Sequence, residues 1–242
     1  MRVSLRIDDI GASTKKYEVY SRIPFGNFLF FKYLKPFRAW GPYREIGADD
    51  WGKVFRILQN YSAKLTVAVT AAWVERDGRL IPFPEKFPEE ADILKNGVKD
   101  GFLEIANHGL AHCVVGEHLP RLFSSNRKFH REFWDWVPRE VHLKHIAASQ
   151  KILQEWLGTR VTTLIPPDNV YSVDTVDAAE QNGIQRINSH RDLGVETSLE
   201  IIGDENVIAF HDREIVLEGT GWLERKLESL PSDTEYVFVR DL

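Results

Sequence analysis

The sequence predicts a single α/β domain built on a parallel sheet with crossover helices. Short apolar runs recur along its 242 residues, helical stretches separate them, and no series of hairpins breaks the alternation. The length suits one domain with a full core and is short for two.

The elements follow in order. The first strand is Val3–Ile7. After a long insertion comes a helix near Asp49–Asn60, where Asp49 and Asp50 are capping residues and Val54, Ile57, Leu58 and Tyr61 repeat at helical spacing. A strand at Leu65–Thr70, a short helix over Ala91–Asp100 and a strand at Phe102–Ala106 come next. A long helix from Pro138 to Leu157 stops at Gly158, with Val141, Ile146, Ile152, Leu153 and Trp156 as core candidates. The chain then alternates through Val161–Ile165, a helix at Val173–Asn182, and strands at Ile184–Asn188 and Val207–Phe210. A helix at Trp222–Leu230 and a strand at Tyr236–Arg240 close it.

Composition narrows the function. The apolar content of 43% and charged content of 28% are those of a globular protein. A net charge of -5 argues against a general nucleic-acid binder. The single cysteine, Cys113, excludes an intrachain disulfide framework. No apolar run is long enough to cross a bilayer, and no secretory signal precedes the first strand, so the expected compartment is the cytoplasm.

The chemistry gathers at strand ends. The first strand delivers Asp8-Asp9, and the strand ending at Ala106 delivers Asn107-His108 and, four residues after that histidine, His112. The strand ending at Ile165 delivers Pro166-Pro167-Asp168-Asn169. The one through Ile187 delivers His190-Arg191, and the one ending at Phe210 delivers His211-Asp212. In a parallel barrel such ends converge on one face, where active sites are built. One aspartate and two histidines make a metal site with positions open to water and substrate, suited to Zn, Fe, Co, Mn or Ni. The second aspartate then serves as base, and His211 is the best placed acid for a leaving amine.

In the order Asp8-Asp9, His108-x-x-x-His112, Pro166-Pro167 and His211-Asp212, nearly the whole chain resembles the polysaccharide deacetylase superfamily (NodB homology, carbohydrate esterase family 4). The resemblance implies a distorted (β/α)7 TIM-like barrel and hydrolysis of an N-acyl group, usually acetyl, from an amino sugar. It implies Asp9, His108 and His112 as metal ligands, Asp8 as base, His211 as general acid and the proline loop as a wall of the groove.

Departures from the pattern are specific. The first motif reads Arg6-Ile7-Asp8-Asp9-Ile10 rather than Thr-Phe-Asp-Asp-Gly. Gly109 stands where Ser or Thr follows the first histidine, Ile165 replaces an arginine that pairs with the base, and Asp168-Asn169 replaces an aromatic-Gly pair. Arg6, two residues before Asp8 on a strand, lies on the same face and is the expected substitute partner.

Two segments are substrate candidates. Residues 17–46 form an aromatic-rich insertion interleaved with Lys32, Lys35, Arg38 and Arg44, read as a lid, a packed cover or an interfacial membrane contact, the last disfavoured because its apolar residues show no clean amphipathic period. The stretch Arg131–Trp136 offers Glu132 and Trp134 as a sugar-binding loop, and His190 and Arg191 as contacts to an anionic group. His142 and His145 read as helix-surface or packing residues. The expected substrate is a nucleotide-linked or lipid-linked amino sugar in surface-polysaccharide (O-antigen-like) biosynthesis. A deformylase or amidase on another small N-acyl substrate, and a silent glycan-binding barrel, are the alternatives.

Overall fold

The computed structural model describes residues 1–242, the side chain of Pro24 excepted. Twelve strands and eight helices follow one another: β1 Arg2–Ile10, α1 Thr14–Tyr17, β2 Tyr20–Ser21, β3 Arg38–Trp40, α2 Ala48–Asn60, β4 Leu65–Val69, β5 Ala72–Val74, β6 Leu80–Pro82, α3 Phe83–Lys86, α4 Pro88–Lys99 and β7 Leu103–Asn107. Then come α5 Arg139–Leu157, β8 Thr163–Leu164, α6 Val173–Gln181, β9 Arg186–Asn188, β10 Glu200–Ile202, β11 Val207–His211, α7 Asp212–Glu218, α8 Gly221–Glu228 and β12 Glu235–Val237.

Seven strands form one parallel row in the order β10-β9-β8-β7-β4-β1-β11, with β12 paired to the start of β1. The row is a curled, distorted barrel, and β10 and β11 are its two ends. Helices cover its outer face, so β4 reads as a nearly unbroken apolar run, whereas β1 alternates Val3, Leu5 and Ile7 with Ser4, Arg6 and Asp8 and is buried on both faces. The α2, α4, α5 and α8 helices bury Trp51, Val54, Leu58, Leu94, Leu153 and Leu223 against it. Each fully buried leucine contributes about 2 kcal/mol of transfer free energy, so these faces hold the helices in place. As expected, α5 stops at Gly158, whose left-handed φ of 73° lets the chain turn.

Three pieces depart from the expected order. An antiparallel ribbon of β5 and β6 follows β4, and β10 extends the row beyond β9. Both are only three residues long, too short for a period to show. The insertion is also more than a cover: β2 and β3 pair within it, and Phe25, Phe28 and Phe30 face solvent although Tyr17 and Tyr20 are buried.

One irregularity prepares the site. Along β1, Ile7 pairs with Val67 but Ile10 with Val69, so three steps on β1 match two on β4. This bulge falls on Asp8 and Asp9, and Asp9 takes a left-handed φ of 70°. Adjacent strand residues ordinarily face opposite ways; the bulge turns both carboxylates toward the same end of the barrel.

Candidate metal and active site

The Asp9 carboxylate Oδ1 lies 3.0 Å from His112 Nε2 and 3.3 Å from His108 Nε2, all three residues being buried. One ligand atom from each falls within 4.8 Å of the others, a spacing that fits a single divalent ion. His108 Nδ1 donates to the Ile165 carbonyl at 2.7 Å, which directs Nε2 at the site. Ile165, which occupies the place of the family's arginine, thus acts through its backbone.

Burial alone would raise the Asp9 pKa, but the contacts with His112 and His108 hold it well below the usual range. Burial likewise opposes charge on His112, yet Asp9 pushes its pKa up to about 9. A metal ion must therefore displace a proton from His112 at neutral pH. Titration with Zn²⁺ at pH 7 in buffers of different ionisation enthalpy is expected to show release of about one proton per ion, with affinity falling as pH drops.

The loop from Asn107 to His112 is locked by Glu132. Its carboxylate accepts the backbone N–H groups of Leu110 at 2.9 Å, Ala111 at 3.1 Å and His112 at 2.7 Å, and pairs with His145 Nδ1 at 2.6 Å. This corrects the reading of Glu132 as a sugar contact: it is buried and its oxygens are occupied. It also accounts for Gly109. With φ at 83°, a Cβ there would stand 2.4 Å from Glu132 Oε2, so a Ser or Thr would collide with the carboxylate. His145, read as surface or packing, is the counterion of Glu132, while His142 packs inside and bonds Thr175.

Beneath Asp9 lies a second buried cluster that sequence reasoning missed. Lys15 Nζ donates to the Asp9 carbonyl at 2.8 Å, to Glu45 at 2.7 Å and to Asp212 at 2.6 Å, and the Tyr43 hydroxyl donates to Asp212 at 2.9 Å. Burial raises the pKa of both carboxyls, and the same two carboxyls keep Lys15 charged against its own burial. The lysine pins the left-handed backbone that aims Asp9. Nothing in the sequence marks it, since it stands among Ser13, Thr14 and Tyr17 beside a second lysine, Lys16.

Asp8 sits in a separate network. Arg6 donates to Asp8 Oδ2 at 2.9 Å, to Asn188 at 2.6 Å, to Asn169 at 3.1 Å and to Asp204 at 3.2 Å. Arg6 is 1% exposed, so it does not meet substrate; it braces Asp8. The other oxygen, Asp8 Oδ1, is buried with no partner among the described residues.

A chamber of about 320 Å³ opens beside two of the candidate ligands, Asp9 and His112, and is lined further by His211, Asp168 and Asn169 together with Glu18, Tyr20, Arg22, Trp40, Arg127 and Arg213. Burial lowers the tendency of His211 to protonate, but Glu214, Asp9 and Asp8 outweigh it and raise its pKa to about 10. Burial together with the Asp168 charge raises Glu18 to about 8. Glu18, Arg22, Arg127 and Arg213 were absent from the sequence reading, because nothing in their spacing links them.

The other expected contacts divide. Pro166 and Pro167 are buried and support the Asp168-Asn169 turn, whose two residues take left-handed φ values of 56° and 55°. Asp168 pairs with Arg131 at 2.8 Å. Trp134 stacks under Arg131 in a neighbouring pocket and not in the chamber. Arg191 lines a third pocket and His190 is exposed; neither borders the candidate ligands.

Residues 41–187 match the polysaccharide deacetylase family model. That span includes His108, His112 and the proline loop; Asp8, Asp9 and His211 join them through the geometry above. No curated protein sequence matches the chain. Among solved structures, a family 4 acetyl xylan esterase from Clostridium thermocellum in complex with cobalt is similar at TM-score 0.51 and 16% identity, over 100% of this chain and 89% of that one. A peptidoglycan N-acetylglucosamine deacetylase is similar at TM-score 0.51 and 14% identity, over 99% and 86%. A mutant of a CE4-family pseudoenzyme from Bacillus anthracis is similar at TM-score 0.52 and 12% identity, over 100% and 66%. The shared fold and the match over more than half of the sequence agree, and the chain belongs to the polysaccharide deacetylase family.

Proposed function

We propose that this protein is a metal-dependent hydrolase that removes an N-acetyl group from an amino sugar. The observation that carries the reading is the division of labour at the bulge: Asp9 meets two histidines while Asp8 is braced by Arg6 and keeps one oxygen free. Asp9, His108 and His112 would hold the ion, which supplies a Lewis acid for the acyl carbonyl. Asp8 Oδ1 takes the proton of the attacking water. The water oxygen bonds to the acyl carbon, the C–N bond breaks, and His211 gives a proton to the departing amine. Holding His211 protonated at neutral pH suits an acid.

The chamber has room for about one sugar ring, which favours a small precursor over a long polymer groove. A nucleotide-linked or lipid-linked sugar of surface-polysaccharide biosynthesis, handled in the cytoplasm, is the substrate we assign. The metal is of the Zn, Fe, Co, Mn or Ni group, in keeping with the nitrogen and carboxylate donors. Release of formate in place of acetate would identify the deformylase alternative.

Pseudoenzymes share this fold, so the decisive measurement is direct. Metal analysis of the purified protein is expected to give about one divalent ion per chain, and Asp9→Ala or His108→Ala to give almost none. Wild-type protein without bound metal and without metal-dependent acyl release would sink the proposal.

A further inference from the structure

The outer face of the insertion is apolar and open. Phe25 is 70% exposed and Phe30 59%, and the segment that follows the candidate metal histidines adds Leu122 at 66% and Phe123 at 63%. These form one surface. The Phe28 ring packs on Phe123 with centroids 5.1 Å apart, the Leu29 N–H donates to the Leu122 carbonyl at 2.6 Å, and the buried Lys32 ammonium is held by the carbonyls of Arg121 and Ser124. Exposed apolar side chains clustered in this way mark an interaction surface.

Charge is segregated onto the same two segments. Residues 19–44 and 118–131 hold nine of the 31 lysines and arginines and none of the 36 aspartates and glutamates. The rest of the chain is left with 22 cations against 36 carboxylates, a strong acidic excess. Arg22, Lys35, Arg38 and Lys128 are exposed and have no carboxylate partner among the described residues. The patch also borders the chamber, since Tyr20, Arg22 and Trp40 of the insertion and Arg127 of the second segment line its wall.

We propose that this face rests on an anionic lipid bilayer, with the phenylalanines at the headgroup–acyl boundary and the cations among the phosphates, presenting the chamber to a lipid-linked substrate. Exposed aromatics interleaved with lysine and arginine are the composition that binds such an interface. A symmetric dimer through this face would set the same cations against one another. A neutral glycan would make no use of the charge. No helix is long and apolar enough to cross a membrane, and surface contact needs none. The identity of the substrate rests on the deacetylase reading; the lipid contact does not.

Co-sedimentation of the full chain with phosphatidylcholine vesicles, with and without about 30% phosphatidylglycerol, tests this. Binding to the anionic vesicles is expected, weakened about tenfold or more by the double variant Phe25→Ser/Phe123→Ser, and by Lys35→Glu or about 0.5 M salt. Both phenylalanines are solvent-facing, so circular dichroism and acetate release from soluble N-acetylglucosamine should be unchanged. Failure of the wild-type chain to sediment, indifference to the double variant, or a dimer in solution that the same variant splits would overturn the proposal. Vesicle binding without any acyl release would leave it standing and remove the deacetylase reading instead.

Discussion

Asp8→Asn is expected to keep one metal ion per chain and to lower kcat by about 10³-fold, within the range for loss of a general base. The substitution is isosteric, and its carboxamide oxygen can still accept from Arg6, so the 2.9 Å contact and the buried network around it persist. What disappears is the ability of Oδ1 to take a proton. Metal content by elemental analysis and turnover by acetate release separate the two aspartates. If Asp8→Asn lost its metal, Asp8 would be the ligand and the roles would be reversed. Arg6→Ala is the companion: with the metal retained, turnover should fall because Asp8 loses its brace.

The largest stability effect is expected at Glu132. Glu132→Ala leaves three backbone N–H groups and His145 without their acceptor inside the protein. Removing one partner of a buried ionic network typically costs about 3–5 kcal/mol, to be read as a shift in urea midpoint. Metal affinity should drop as well, since the same loop carries His108 and His112. Gly109→Ala probes the contact from the other side and should also destabilise, through its positive φ and its approach to Oε2. Burial pushes the Glu132 carboxyl up, but His145 and the backbone donors outweigh it and hold it below the ordinary carboxyl range. Its stabilising contribution is therefore complete above the unfolded carboxyl value and fades only as pH falls through the lower folded one.

Much of the site was legible because its residues sit where strands end. Asp8, Asp9, His108, His112 and His211 each follow an apolar run, and parallel strands carry such ends to one face whatever the details between. Glu132 was misread because the same composition, a carboxylate among aromatics, serves a sugar or a loop equally well. Its true partners are backbone N–H groups, which leave no mark in a sequence. Lys15, Glu45 and Asp212 meet across nearly 200 positions, and no local spacing announces that encounter. For the insertion a lid, a cover and a membrane contact all stayed open, because aromatics serve each of them, and only coordinates show which rings found nothing to pack against.

Arg6 has a wider consequence than bracing one carboxylate. It leaves β1 near one end of the row and reaches Asn188 on β9 and Asp204 beyond β10, at the other end. The guanidinium is thus a clasp across the open seam of the barrel, and the orientation of Asp8 reports whether the seam is shut. Warming that merely parts the two edges would silence the base while the helices and the hydrophobic core are still intact. Thermal inactivation should then run ahead of melting, and an enzyme of this build would fail first by opening rather than by unfolding.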